Sequence, residues 1–291
     1  MNWERMASFE FDEAIKKSGG VCAIPIGCTE KHGQHLPVGS DCYEIQMCCE
    51  KAAEMEDFMI FPTTFWLGDV CGYHSRTDEV LERRKMKGGI GINPELLYRV
   101  LEELCDEIYR NGFNKILLVN GHGGNVPFLN YFVRAMLYKK RDYAVMWTSG
   151  FMQDSIYGQI LDRRAEFPNL TEKDIQTLEW FREHGSGGGH ADMKEVMQIM
   201  SLDPKLVHED KYEAESGAST HETDYLSAAH IEAGFVWDGN YPNMYDGFPA
   251  YGCTKAIGDA AVKINAERVA NAVKVLKHDD KCVAFATKKI Y

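Results

Sequence analysis

The sequence predicts an α/β protein: a single domain over residues 1–291, with a mostly parallel sheet flanked by helices on both faces. Two observations carry this expectation. Short, nearly continuous apolar runs at residues 21–27 (VCAIPIG) and 115–119 (KILLV) alternate with longer segments of helical period. Strands that read this way are buried on both faces, as in a parallel sheet covered by helices. No internal repeat, low-complexity tract or linker divides the chain, so one large domain is preferred over two.

Taken in order, residues 21–27 form the first strand, and 43–58 a helix. Residues 59–64 (MIFPTT) form a second strand that Pro62 ends early or places at an edge. Asn93-Pro94 opens a helix, with Asn as the cap and Pro in its first position. Leu97, Leu101, Leu104, Cys105 and Ile108 give it one apolar stripe, and Gly112 stops it. The strand at 115–119 runs into Asn120-Gly121-His122-Gly123-Gly124-Asn125, followed by a helix from 126 to about 139 and a strand at 143–148 (YAVMWT). Thr171 to Asp174 is a capping box opening a helix toward Trp180, and the glycine run at 185–189 is a flexible approach to His190. Residues 208–223 read as an acidic surface excursion. Residues 255–278 form the last helix, with Val262, Ala266, Val269, Val273 and Leu276 on one stripe.

The 291 residues carry 32 Lys and Arg against 44 Asp and Glu, a formal charge of −12. That balance argues against nucleic acid as a partner, because a phosphate-tracking surface needs positive excess. No apolar run reaches the ~20 residues of a bilayer span, and residues 1–17 mix Glu, Asp and Lys, so no membrane partner and a cytoplasmic location are expected. Nine cysteines without a CxxC pair read as buried thiols of a reducing compartment.

Chemistry concentrates at three places, the first two directly beyond a strand, where open α/β sheets bind their ligands. The densest is residues 27–41, GCTEKHGQHLPVGSD. Glu30 and His32 alternate, so in extended chain both point one way and make half of a metal site. Asp41 either bridges metals or caps the following helix. Gly33, Pro37 and Gly39 hold the loop in one shape, and His35 reads as a support for it. The second place is NGHGGN, where His122 is either a ligand or a hydrogen-bonded loop histidine, and the glycines alternatively suggest a phosphate cradle. That cradle matches neither GxGxxG nor GxxxxGK[ST]. The third is His190-Ala191-Asp192-Met193-Lys194-Glu195. Here Glu195 falls in a first helical turn, either pointing inward to a metal or solvated and favoured by the helix dipole. His74 and His184 lie near glycines without a distinguishing spacing, and Trp66, Trp147, Trp180 and Trp237 read chiefly as core.

The string GCTEKHGQHLPVGSD resembles the signature of the creatininase (creatinine amidohydrolase) family, close to G-[ST]-x-E-x-H-G-x-H-L-P-[LV]-G-[ST]-D. VNGHGGN matches a second family motif, HADMKE resembles H-A-G-x-x-E, and Asp246-Gly247-Phe248-Pro249 resembles the lead into the last helix. The resemblance implies a metal-dependent amidohydrolase with two divalent ions, zinc or manganese, acting on C–N bonds of a small-molecule amide. It also implies a homo-oligomer, often a hexamer. Carried over, Glu30, Asp41 and His122 hold one ion, and His32 with the shared Asp41 holds the other. The remaining ligand of the second ion stands at Gly124 in creatininases proper, and the family members with NGHGGN take it from the later glutamate, here Glu195. Loss of the Tyr-Glu pair of NGHYEN points away from creatinine and toward another amide. Residues 71–92, where the family has S-x-x-H-x-x-F-P-G-T, diverge, with His74 and Gly88-Gly89 as remnants.

The expected mechanism is attack by a hydroxide shared between two ions on an amide carbonyl, with His190 giving a proton to the leaving nitrogen. The competing expectations are a phosphate or nucleotide binder using NGHGGN, and a relative without turnover. Retention of Glu30, His32, Asp41 and His122 argues against the last, since buried charges without a task are costly.

Overall fold

The computed structural model describes residues 1–63, 88–150, 156–185, 189–279 and 281–288. Four strands form one sheet in the order β2-β1-β3-β4, with β1 at Val21–Ile26, β2 at Met59–Ile60, β3 at Lys115–Asn120 and β4 at Ala144–Ser149. Every pairing is parallel. Among the described residues the helices before β3 are α1 (Phe11–Ser18), α2 (Ser40–Ala52) and α3 (Pro94–Arg110), and α4 (Val126–Ala135) joins β3 to β4. After the sheet come α5 (Ile156–Asp162), α6 (Glu172–His184), α7 (Met193–Leu202), α8 (Asp224–Ala228), α9 (Val236–Asn240), α10 (Lys255–His278) and α11 (Lys281–Thr287).

All residues of β1 and β3 are buried, because each face of the sheet is covered. Successive strand side chains alternate between faces. Cys22, Ile24, Ile116 and Leu118 pack with Ala14 of α1, Leu97 and Leu101 of α3, and Leu129 and Phe132 of α4. Val21, Ala23, Leu117 and Val119 pack with Ile45 and Cys49 of α2 and with Val269 and Val273 of α10. A further apolar layer of α5, α6 and α7 lies against Ile257, Ala261 and Ile264 of α10. This long helix is therefore buried between the sheet and a second set of helices. The sequence stripe of Val262, Ala266, Val269 and Val273 is buried, while Leu276 is partly so.

Three expected boundaries shift, each for a local reason. The second strand pairs only at Met59–Ile60. Phe61 N still donates to Ala23 O, and Pro62, which lacks an N–H, follows immediately. Helix α2 begins at Ser40, not at residue 43, and ends at Ala52, where the chain turns to bury Phe58 and enter β2. The helix expected to reach residue 139 ends at Ala135 and is continued by a tighter turn over Met136–Tyr138. Asn93 caps α3 by accepting from Glu95 N, and Thr171 and Asp174 form the expected capping box of α6. None of the eight described cysteines is in a disulfide, and Cys71, Trp66 and His74 lie outside the described residues. Among the described residues no helix is long and apolar enough to cross a membrane.

The strand order places the site. From β1 the chain crosses to β2 on one side and then to β3 on the other, so β1 and β3 are neighbours in space, with Ile26 opposite Asn120. Ligands of open α/β sheets occupy such a reversal, beyond the strands' carboxyl ends.

Gly258 fixes how closely α10 crosses α7: a Cβ built there would lie 2.2 Å from Met197 O and 2.8 Å from Ser201 N. Gly258→Ala is expected to destabilise the fold by about 1–3 kcal/mol, the usual cost of overpacking. A denaturant titration unchanged from wild type would show that the two helices part freely.

Candidate metal centre

Four separate segments deliver the side chains. Gly27 lets β1 end against the first turn of α2, since a Cβ there would lie 2.6 Å from the Asp41 carbonyl carbon and from Cys42 N. The chain then runs extended through Glu30 and His32, with Glu30 N donating to Val38 O. His32 Nε2 and Glu30 Oε1 are 3.9 Å apart, so the alternating pair does face one way. Gly33 adopts φ +54°, a left-handed conformation that favours glycine, and its N–H donates to Met244 O.

Asp41 lies inside the first turn of α2, whose cap is Gly39 without a side-chain bond. Capping is thus not its task. Its carboxylate divides between two neighbours: Oδ2 is 3.1 Å from His122 Nδ1, and Oδ1 is 3.2 Å from His32 Nε2. On the first side Glu30 Oε1 is 3.0 Å from His122 Nδ1, and the Cys28 thiol donates to Asp41 Oδ2 at 3.0 Å. On the second side Glu195 Oε2 is 3.5 Å from His32 Nε2. Donor atoms of Cys28, Glu30, Asp41 and His122 all lie within 4.8 Å of one another, and so do those of His32, Asp41 and Glu195.

Glu195 comes in from the start of α7, capped by Asp192. It is held inward by Ala191, whose φ of +57° is strained for a residue with a Cβ. Two bonds hold that strain in place: Ala191 N donates to Glu195 Oε2 at 2.7 Å, and His35 Nε2 donates to Ala191 O at 2.6 Å. His35 thus ties the first motif to the third, as a support and not as a ligand. His190 Nε2 donates to Lys31 O at 2.9 Å, leaving Nδ1 3.6 Å from Glu30 Oε1 and 3.8 Å from Glu195 Oε1. Its ring lies 4.5 Å from that of His32.

The glycines of the second motif serve the histidine. A Cβ at Gly124 would fall 2.4 Å from His122 Nε2, so no side chain fits there with the ring in this orientation. Asn120 clamps the loop from inside, its Oδ1 accepting from His122 N and its Nδ2 donating to His122 O. With three carboxylates gathered at its mouth, this loop repels a phosphate instead of cradling it.

The charges are balanced by protons. Burial works against ionisation of Asp41, but His32 and His122 outweigh it and hold the carboxyl well below the usual range. Glu30 is lowered in the same way, burial being overcome chiefly by His122 and His190. Burial disfavours the imidazolium of His32, yet Glu195, Asp41 and Glu30 lift it to about 10. His122 is likewise raised, and Glu195 is raised by burial.

Several neighbours were not singled out in the sequence. The Trp237 ring stands edge-on to His190 at 5.3 Å, although tryptophans read as core. Glu44, three residues after Asp41 on the same helix face, is buried and accepts from Gln198 Nε2 at 2.8 Å. Burial and the nearby Glu195, Asp41 and Asp192 push its carboxyl well above the usual range. Lys31 reaches across to Glu215 at 2.6 Å, so the acidic excursion is tied to the ligand loop. Trp180 and His184 stack on each other at 4.8 Å on α6 and join none of these donor groups.

The sequence profile of the creatininase family, described as creatinine amidohydrolase, matches residues 4–273. The chain belongs to the creatininase family. Among curated relatives, it is 23% identical over 120 residues to the creatinine amidohydrolase of Pseudomonas putida, 41% of this chain and 44% of that protein. It is 28% identical over 121 residues to the 3-dehydro-scyllo-inosose hydrolase of Thermotoga maritima, 42% of this chain and 35% of the relative. The chain therefore matches less than half the length of these relatives. Solved structures cover far more: a Zn-Zn form of a creatininase mutant superposes with a TM-score of 0.67 at 17% identity, over 96% of this chain and 98% of the other. A manganese creatininase gives 0.65 at 17% identity, over 96% and 99%. These likenesses establish the creatininase-like α/β fold.

His32 makes the metal-free fold sensitive to pH. Its folded value is raised from 6.5 to about 10, so its contribution is complete below about pH 6.5 and is lost as pH rises through about 10. The denaturation midpoint of metal-free protein should fall across that window, and the fall should be shallower in His32→Gln. Equal slopes for the two proteins would remove His32 as the source.

Proposed function

We propose that this chain hydrolyses a C–N amide bond of a small molecule with two divalent ions, zinc or manganese. Glu30, Asp41 and His122 would hold one ion, and His32, Asp41 and Glu195 the other. The observation that carries this reading is the Asp41 carboxylate, whose two oxygens face two separate donor sets. The donor chemistry fits as well. Glu30 Oε1 is buried without a well-aligned hydrogen bond, the His122 ring standing 3.0 Å away, so a cation beside it would answer its charge. Mixed carboxylate and imidazole ligation suits zinc and manganese alike. Because Gly124 offers no carboxylate and admits none, the second set is completed from α7 by Glu195.

A pair of divalent ions supplies a hydroxide near neutral pH and polarises a carbonyl. The protein's own part is to exclude water, orient the rings and move a proton. The Nδ1–H of His32 is engaged by Glu30 O at 3.2 Å, which leaves Nε2 as its donor atom. The Nε2–H of His190 is engaged by Lys31 O, so any proton His190 delivers leaves from Nδ1, the atom facing Glu30 and Glu195. This suits it to protonate the departing nitrogen as general acid. Trp237 limits the tilt of the His190 ring and forms one wall beside it. The relatives named creatinine amidohydrolase and 3-dehydro-scyllo-inosose hydrolase indicate the substrate classes to try first, namely cyclic amides and small hydrolysable ring compounds.

Metal analysis after purification without chelators tests the reading. About two ions per chain are expected, falling to about one in Glu195→Gln, and chelation should abolish amide hydrolysis. His190→Ala should retain the ions and lose about 10²–10⁴-fold in rate. A wild-type chain that holds no zinc or manganese sinks the proposal.

A further inference from the structure

The four donors gathered on the Glu30 side include one that the two-ion scheme leaves unused. Cys28 follows β1 and Gly27 and is fully buried. Its Sγ is 3.0 Å from Asp41 Oδ2, which is 3.1 Å from His122 Nδ1, which in turn is 3.0 Å from Glu30 Oε1. All four atoms lie within 4.8 Å of one another, close enough for one ion to reach each of them. Independently of the thiol, Glu30 is only 2% exposed. Its Oε1 faces the His122 ring across the same space at 3.0 Å without a well-aligned hydrogen bond.

We propose that Cys28 is a thiolate ligand of the ion held by Glu30, Asp41 and His122, and that this position therefore selects a thiophilic ion, zinc or cobalt, over manganese. The inference rests on the two-ion reading above and gives its two positions different chemistry: one carries sulfur, the other only nitrogen and oxygen. On binding, the S–H bond breaks, a sulfur–metal bond forms, and the proton passes to solvent buffer. A hydroxyl at this place, as in the G-[ST]-x-E pattern that the segment otherwise follows, could hydrogen-bond Asp41 but would not ionise in the same way. Softness then sets selectivity, since thiolate favours zinc while carboxylate with water suits manganese. The sulfur is held at its post by the backbone: Cys42 Sγ donates to Cys28 O at 3.3 Å, and Gly27 leaves the strand end no room to retreat.

Cobalt(II) added to metal-free full-length protein tests this without reference to turnover. Wild type and Cys42→Ser should show a near-ultraviolet sulfur-to-cobalt charge-transfer band, and Cys28→Ser should lose it while keeping the visible d–d bands. In competition dialysis, the zinc-over-manganese preference of one bound ion should fall about tenfold or more in Cys28→Ser. If wild type binds cobalt with d–d bands and no charge-transfer band, Cys28 is only a hydrogen-bond donor to Asp41. That result overturns the inference and leaves the two-ion reading intact. If cobalt and zinc do not bind at all, both readings fall. Should Cys28→Ser not fold, zinc-edge X-ray absorption on wild type decides. A sulfur shell at about 2.3 Å supports ligation, and a shell of nitrogen and oxygen alone overturns it.

Discussion

Three ionisable carboxylates, those of Glu30, Asp41 and Glu195, are packed among imidazoles and largely withdrawn from solvent, and the rest of the structure is arranged around that concentration of negative charge. Each buried ion costs several kcal/mol in effective desolvation unless a cation answers it. His32 and His122 answer it here, as their raised proton affinity shows. A proton on a ring nitrogen and a divalent ion coordinated by that nitrogen exclude each other, so under the proposed function metal loading would require imidazole deprotonation.

Assembling that set is a topological achievement more than a local one. Glu30 and His32 leave β1, His122 leaves β3, Asp41 sits in α2, and Glu195 enters from α7. Parallel pairing with Ile26 opposite Asn120 brings the first two segments side by side, and Gly27 allows α2 to close on them. The contribution of α7 depends on the left-handed turn at Ala191, which His35 secures from the first loop. The strain is small and local, of order 1–3 kcal/mol, and both hydrogen bonds that offset it belong to the site. Loosening either would release Glu195 and the His190 backbone together, since the two share one turn.

What could be read from sequence follows from range. Strands β1 and β3, the Asn93-Pro94 start of α3 and the capping box of α6 are written in neighbouring residues and were legible as such. The pairing of Glu30 with His32 needed only the alternation of an extended chain. Asp41 was ambiguous because a residue two positions after a glycine and one after a serine looks like a cap, and only the closure of β1 onto α2 reveals it as shared between two sets. Glu195 was ambiguous because an inward turn depends on a backbone conformation set by a histidine 156 residues away in sequence. Trp237 and Glu215 were illegible for the same reason, their partners being His190 and Lys31. Glu44 had a local signal in its spacing from Asp41, but a carboxylate in that position is ordinarily solvated.

The loop that supplies Glu30 and His32 also fixes the chemistry of the rings. Glu30 O takes the Nδ1–H of His32, and Lys31 O takes the Nε2–H of His190. Two consecutive carbonyls thus set two tautomers in opposite senses, one ring presenting Nε2 and the other Nδ1. A rotation of the peptide plane between them would break both ring contacts and change which nitrogen of each ring faces the carboxylates. The clamp on this plane comes from outside the sheet: Lys31 extends to Glu215 at 2.6 Å, and Gln34 reaches the same carboxylate at 2.9 Å. Both partners are largely withdrawn from solvent on the lysine side, where the pair is screened less than a surface salt bridge. The acidic excursion is thereby given a physical task. It braces the peptide whose carbonyls engage the two rings, so a segment remote in sequence takes part in setting which nitrogen of His32 and of His190 faces the carboxylates.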